Sequence, residues 1–451
     1  MVGSEPSGDY SELKKAKPGY KLVKSLFGKE IEIPEEWDVK ELKNLAKIKG
    51  RIGWRGYSQN DFVEEGKGVI SLGGTNIKND KLDLSKRRYV TFEKYDESPE
   101  IQVNTNDILI QKTGTIGGVA LIDKNVGKAT INPNVSIIKK ILCNSLFLSF
   151  SLTNSYVKKQ INRFKTATSV PLLTQEQISS LIIFVPSKPE QQKIASILSN
   201  VVSLISSFDE FLSHTKRLKT GLMQQLLTEG IGHKKFKKVN LGFGKTIEFP
   251  EEWKIEILKE NTSKIGSGIT PFGGSEVYQK DGIPFIRSQN VHFDGLHLDN
   301  VAYITQEIHD KMSGTKLKSM DVLLNITGAS IGRCSIVPEK FGEGNVNQHV
   351  CIIRSKPSLF PGFLNYFLIS SLMQNMINSV QGGISRQGLN FKDLGNLHIP
   401  IPKFEEQQKI TSILSEVDKK INNLESNKTR LENLKKGLMQ NLLTGQIRVT
   451  V

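Results

Sequence analysis

One unit of this chain is written twice at a fixed offset, and that duplication limits what the chain can fold into. Gly28-Lys29-Glu30-Ile31-Glu32-Ile33-Pro34-Glu35-Glu36-Trp37 returns as Gly244-Lys245-Thr246-Ile247-Glu248-Phe249-Pro250-Glu251-Glu252-Trp253, eight of ten residues identical. Pro186 to Ser199 returns as Pro402 to Ser415, with Glu-Gln-Gln-Lys-Ile in both. Gly221 to Thr228 returns as Gly437 to Thr444 with one change, and every one of these matches stands 216 residues apart. Two copies are too few for a solenoid and point to a pseudo-dimer. Such a molecule can grip two separated parts of one ligand.

Each copy divides into a mixed segment and a helical one. The mixed segments, 20–186 and 236–402, hold short β-branched runs such as Asp107-Ile108-Leu109-Ile110 and Asp321-Val322-Leu323-Leu324. Glycine turns follow, Thr113-Gly114-Thr115-Ile116-Gly117 and Thr327-Gly328-Ala329-Ser330-Ile331-Gly332. This punctuation predicts β-rich domains. Leu146-Phe147-Leu148 with Leu152, and Phe363-Leu364 with Phe367-Leu368, predict a helix packed on each sheet. The offset drifts to 214 at Asp107/Asp321 and 215 at Val135/Val350, so small insertions lie inside the mixed domains.

The helical segments, 187–230 and 403–446, carry heptad columns. Ile410, Val417, Leu424, Leu431 and Leu438 recur every seven residues, beside Ile413, Leu414, Ile421, Leu434 and Leu442. The first copy has Ile194, Val201, Phe208, Thr215 and Leu222, beside Ile197, Leu198, Ile205, Leu212 and Leu226. A helix of about 40 residues spans about 60 Å and would expose a long apolar stripe alone. Burying the two stripes against each other removes it. An antiparallel pairing then sets the mixed domains at opposite ends; a parallel pairing is the alternative. Ser187-Lys188-Pro189-Glu190 fits a capping box, and Gly230 and Gly445 fit left-handed C-terminal caps. The expected fold is therefore α+β and pseudo-twofold, two tandem β-rich domains with two long helices in an antiparallel coiled coil. Residues 1–19 read as a flexible tail without the apolar core of a signal peptide.

With 451 residues and a formal net charge of +15, the chain favours a polyanionic partner or simply exposes many lysines. Its three cysteines have no zinc-ligand spacing and suit a reducing cytoplasm. No segment is expected to reach the roughly 18 apolar residues of a membrane span. Searches for catalytic motifs fail. There is no Asn/Asp-Pro-Pro-aromatic loop and no Pro-Asp dipeptide, and Gly244-Lys245-Thr246 lacks the first glycine of a P-loop, Val239 standing there. The seven histidines show no pairing with acids or cysteines at metal-ligand spacing, so no metal site is expected.

Candidate DNA-contacting residues follow from chemistry and placement in turns. Arg51, Trp54, Arg55 and Tyr57 interleave cations with aromatics, although a packed Trp54 under an exposed basic loop explains the same string. Asn76 aligns with Asn290, which follows Arg287 and Ser288. Arg88 ends a basic run, and Lys112 and Thr113 lead into the first glycine turn. Ser267 and Thr270 lie in a Gly-rich loop, Arg333 follows the second glycine turn, and Arg386 and Gln387 lie in a later turn. Such side chains suit phosphates and base edges. Trp37 and Trp253 read as core anchors.

A Pro-Glu-Glu-Trp entry, a β-rich domain, Glu-Gln-Gln-Lys-Ile opening a long helix and Gly-Leu-Met-Gln-x-Leu-Leu-Thr closing it, all twice, resembles the specificity (S) subunit of type I restriction-modification systems. The resemblance covers nearly the whole chain after residue 20. It implies two target-recognition domains, each reading half of a split DNA sequence, with the paired helices setting the spacer. It implies docking to two methyltransferase (M) subunits and to restriction (R) motor-nuclease subunits. It also implies no chemistry in this chain, with AdoMet, ATP and Mg held by the partners. The reading from another class is a coiled-coil protein-interaction scaffold. A self-sufficient methyltransferase or nuclease is the third.

Overall fold

A computed structural model describes residues 16–24, 30–52, 56–165, 172–241, 246–380 and 388–450. Most of the expected tail and the segments carrying Trp54, Arg55, Arg386 and Gln387 lie outside them. The chain is α+β, and it divides into unit 1, Met1–Phe208 with Asn427–Val451, and unit 2, Asp209–Ser426.

Both units are built on one plan. In unit 1 a four-stranded antiparallel sheet runs in the order Val119–Leu121, Ile108–Gln111, Val135–Lys139, Lys47–Gly50. In unit 2 the corresponding order is Cys334–Ile336, Val322–Asn325, Val350–Ser355, Thr262–Ser267. Ile108–Gln111 and Val322–Asn325 are buried along their whole length because both faces of the sheet are covered, which is why their sequences are continuous apolar runs rather than alternating ones. A second small sheet in each unit contains a parallel pair, Val69–Leu72 with Ala129–Ile131 and Ile283–Ile286 with Asn345–Val346. An ion pair braces each main sheet, Lys139 Nζ to Asp107 at 2.9 Å and Arg354 to Asp321 at 2.7 Å.

The drift in offset has a local cause. Gln111 N–H donates to the Gly118 carbonyl across the first glycine turn, and Asn325 N–H to the Arg333 carbonyl across the second. The second turn is therefore one residue longer, and the offset passes from 214 to 215 there.

The predicted packed helices are Ser145–Thr153 and Pro361–Ile369, with Phe147, Leu148 and Leu152, and Phe363, Leu364, Phe367 and Leu368, all buried. The long helices run Lys188–Thr228 and Phe404–Leu442. In unit 2, Lys216 pairs with Glu425 and Lys219 with Asp418, at 2.7 and 2.6 Å, while Leu226 shares a core with Ile410 and Leu414. Rising numbers meet falling ones, so these stretches are antiparallel. In unit 1 the start of the first helix (Ile194, Leu198) packs with the end of the second (Leu442). Two seam assignments are corrected. Ile413 and Leu434 are 39% and 50% exposed and lie outside the seam.

The first long helix also holds an 18-residue window long and apolar enough, by composition, to cross a membrane, contrary to the sequence expectation. Ile194, Ala195 and Leu198 of this helix lie in the core of unit 1, while only 17% of the window is buried.

The motif strings that define the repeat hold one another together. Trp37 Nε1 donates to Glu190 Oε2 and Trp253 Nε1 to Glu406 Oε2, both at 3.1 Å, which joins the Pro-Glu-Glu-Trp entry to the helix-opening string. The next residue caps a neighbouring helix. Gln191 Oε1 accepts from Asn144 N–H at 2.9 Å and Gln407 Oε1 from Phe360 N–H at 2.7 Å. The capping box is only half made. Ser187 Oγ accepts from Glu190 N–H at 3.4 Å, but the Glu190 carboxylate faces Trp37 and Arg448 rather than turning back.

Candidate nucleic-acid interface

In unit 1 a cleft of about 780 Å³ opens beside the second small sheet. Its walls are the loop Gly73–Asn76, the glycine turn from Thr113, the basic run Lys86-Arg87-Arg88, and Asn132 with Asn134. Four of the sequence candidates meet here: Tyr57, Asn76, Arg88 and Thr113.

Asn76 is buried and works inward. Its Oδ1 accepts from Gly73 N–H at 3.0 Å, and its Nδ2 donates to the carbonyls of Asp83 and Lys86 at 2.9 and 2.8 Å. Asn290 repeats the clamp in unit 2, accepting from Arg287 N–H at 3.1 Å and donating to the His297 carbonyl at 2.9 Å. Both asparagines position a loop instead of reading a ligand. What they hold differs between the copies: Gly73-Gly74-Thr75 in one, Arg287-Ser288-Gln289 in the other. A Cβ on Gly73 would stand 2.2 Å from Asn132 Nδ2 and one on Gly74 2.4 Å from Gln111 Nε2, so a side chain at either position would displace the end of a cleft side chain.

Arg51 is likewise internal, at 4% exposure. Its Nε donates to the Ile131 carbonyl and its Nη2 to Thr130 Oγ1, both at 3.1 Å, and its guanidinium lies 4.6 Å from the centre of the Tyr57 ring. Tyr57 donates to the Ile131 carbonyl at 3.1 Å and accepts from Ser71 Oγ at 2.9 Å, and burial pushes its hydroxyl pKa up. Lys112 is half-buried, and desolvation lowers its amine below the ordinary value. Gln111 Nε2 donates to the Thr113 carbonyl at 2.8 Å and holds the turn. Arg88 is exposed, 6.0 Å above the Phe62 ring. Lys86 is exposed beside it, and among the described residues neither has an acidic partner.

In unit 2, Ser288 and Arg287 join the glycine turn through Asn325, whose Nδ2 donates to the Ser288 carbonyl at 2.8 Å and to Ser330 Oγ at 3.1 Å. Arg287 lies 5.3 Å over the Tyr278 ring and donates to the Asn300 carbonyl at 3.4 Å. Thr270 bonds Gln348, and Thr327 Oγ1 meets His349 Nδ1 at 2.5 Å, so the Gly-rich loop and the glycine turn share one polar network. Ser267 donates to the Gly268 carbonyl at 3.3 Å. Gly268 approaches the Val346 carbonyl so closely that a Cβ would stand 1.6 Å from it. Arg333 is half-buried at the end of the turn. Lys237, on the first strand of the second mixed segment, is tied to the Glu251 and Trp253 carbonyls at 2.9 and 2.6 Å.

Sequence reasoning missed Lys78, Gln111, Asn132 and Asn134 as cleft residues. The duplicated polar position Gln111/Asn325 was a usable signal. It also missed that His292, Asp294 and His297 come together, with ligand atoms within 4.8 Å of one another. Their spacing, His-x-Asp-x-x-His, was present in the chain.

The family model for the type I restriction modification DNA specificity domain matches residues 34–209 and again 250–435. The chain belongs to this family. Among curated specificity subunits, the type I restriction enzyme MjaVIII specificity subunit of Methanocaldococcus jannaschii is 28% identical over 426 residues, covering 93% of this chain and 95% of the relative. The EcoBI specificity subunit of Escherichia coli is 26% identical, covering 64% and 63%. The crystal structure of an S subunit from M. genitalium shares the fold at a TM-score of 0.56 and 16% identity, covering 92% of this chain and 97% of that one. The two matched specificity domains begin 216 residues apart, the offset of the repeat. The duplicated clamp, glycine turn and tryptophan–glutamate bond are thus the shared scaffold of two specificity domains, and the side chains displayed on it differ.

Proposed function

We propose that this chain is the non-catalytic specificity subunit of a cytoplasmic type I restriction-modification complex and reads a bipartite DNA target. Residues 20–186 and 236–402 act as the two recognition heads, and residues 187–230 and 403–446 act as the strut that sets the spacer. The observation that carries the reading is one clamp presenting two different loops, Gly73-Gly74-Thr75 and Arg287-Ser288-Gln289. Unequal loops on equal scaffolds suit two unequal half-sites. Exposed Lys86 and Arg88 suit phosphate, which supplies affinity without sequence information.

Two methyltransferase subunits and the restriction subunits complete the assembly, and AdoMet, ATP and Mg are held there. Phe211 and Leu218, one heptad apart on the first long helix and 63% and 56% exposed, are apolar positions suited to a methyltransferase helix. The test is methylome sequencing of cells that express the chain with its methyltransferase. A split methylated-adenine motif is expected. In a footprint with the same complex, Gln289→Ala should relax one half-site only. Protection that ignores sequence in both halves overturns the reading and favours a protein-interaction scaffold.

A further inference from the structure

The hairpin that follows the second recognition loop differs in chemistry from its counterpart in unit 1. Val291–His292 pairs with Gly295–Leu296 around Phe293-Asp294, as Ile77–Lys78 pairs with Lys81–Leu82. At the offset of 214, His292 and His297 occupy the positions of Lys78 and Asp83. In unit 1 that pair is a salt bridge, and the Lys78 ammonium holds the Asp83 carboxyl well below the usual carboxylate range. In unit 2 it is two imidazoles stacked with ring centres 4.1 Å apart. Two imidazoles cannot neutralise each other, and two imidazolium ions repel.

Two further contacts bear on what satisfies them. Asp294 Oδ1 lies 3.1 Å from His297 Nε2. Two ligand atoms about 2.0–2.1 Å from one zinc ion stand about 2.9 Å apart at a right angle and about 3.4 Å apart in a tetrahedron. The observed separation falls between those limits. His292 Nε2 lies 2.9 Å from the Gln289 carbonyl, which takes its N–H and leaves Nδ1 with a free lone pair. A metal-binding histidine is commonly oriented by a carbonyl in this way.

We propose that His292, Asp294 and His297 form a binding site for a zinc-class divalent transition metal. Two imidazoles and a carboxylate supply three ligands, with the remaining position left to water. The site would brace the adjacent recognition loop. Asn290 Nδ2 donates to the His297 carbonyl at 2.9 Å, and His297 N–H donates to the Asn290 carbonyl at 2.9 Å, so a fixed hairpin fixes Arg287–Asn290.

The test uses the untagged full chain stripped with EDTA. Zinc chloride is titrated by calorimetry and cobalt chloride by visible absorption. One saturable equivalent is expected, with cobalt ligand-field bands. His297→Ala should weaken binding by about tenfold or more. His292→Gln, which keeps a polar side chain on the strand, must give a similar loss. No saturable uptake, or uptake unchanged in both variants, overturns the site. Neither result depends on DNA binding.

Discussion

At the scale of single residues, Asn76 and Asn290 are polar side chains inside the protein, 3% and 2% exposed, each hydrogen-bonded to loop backbone. Removing one leaves buried donors and acceptors unmatched, which costs about 1–3 kcal/mol. Asn290→Ala should therefore lower the stability of unit 2 by that amount, while exposed Gln289→Ala changes it by less than about 0.5 kcal/mol. Urea titration separates the two outcomes. The cysteines give a second prediction. Burial pushes the Cys351 thiol from its ordinary 9.0 up to about 12, and raises Cys334 as well. The unfolded chain sheds the Cys351 proton first. That contribution to stability is complete below about pH 9 and is lost as pH rises toward 12. Iodoacetamide at pH 8 should label Cys334 and Cys351 only after unfolding, as mass spectrometry of native and urea-treated protein will show.

At the scale of elements, helix ends meet motif strings. Gly230 follows the first long helix at φ +68°, and a Cβ there would stand 2.6 Å from Glu406 Oε1 and 2.7 Å from the Trp253 ring. Gly232 has φ +77° and nothing within 4 Å. Gly232→Ala carries only the left-handed penalty of about 1–2 kcal/mol. Gly230→Ala should cost more, because it also disturbs the bond between Trp253 and Glu406. Thermal melts of the two variants measure the difference. The exposed ion pair Lys216–Glu425 contributes little, about 0–1 kcal/mol, next to the apolar seam.

At the scale of the molecule, unit 2 is one continuous stretch and unit 1 is two. Residues 209–426 contain their own core, from Leu226 through Trp253 to Leu414. That fragment should unfold cooperatively by itself. A fragment 1–208 lacks Leu442 and Leu443 against Ile194 and Leu198. It also lacks Arg448, which bonds Glu190 at 2.8 Å, leaving a buried carboxylate without its cation. It should remain partly folded until residues 427–451 are added in trans, a gain that circular dichroism can follow.

The sequence alone determined what is local or periodic: the duplication, the two long helices, the sheet-packed helices and the tryptophan anchors. Heptad spacing and strand-length apolar runs encode which face is buried, and no distant partner is needed to see them. The tertiary structure decided the partners. Arg51, Asn76 and Asn290 look like readers in the chain because their side chains suit DNA, but folding places them beneath the loops, where they bond backbone. Glu190 looks like half of a capping box, but a cation 258 residues away and Trp37 take its carboxylate. A polar side chain can serve many partners, and only the path of the chain through space chooses among them.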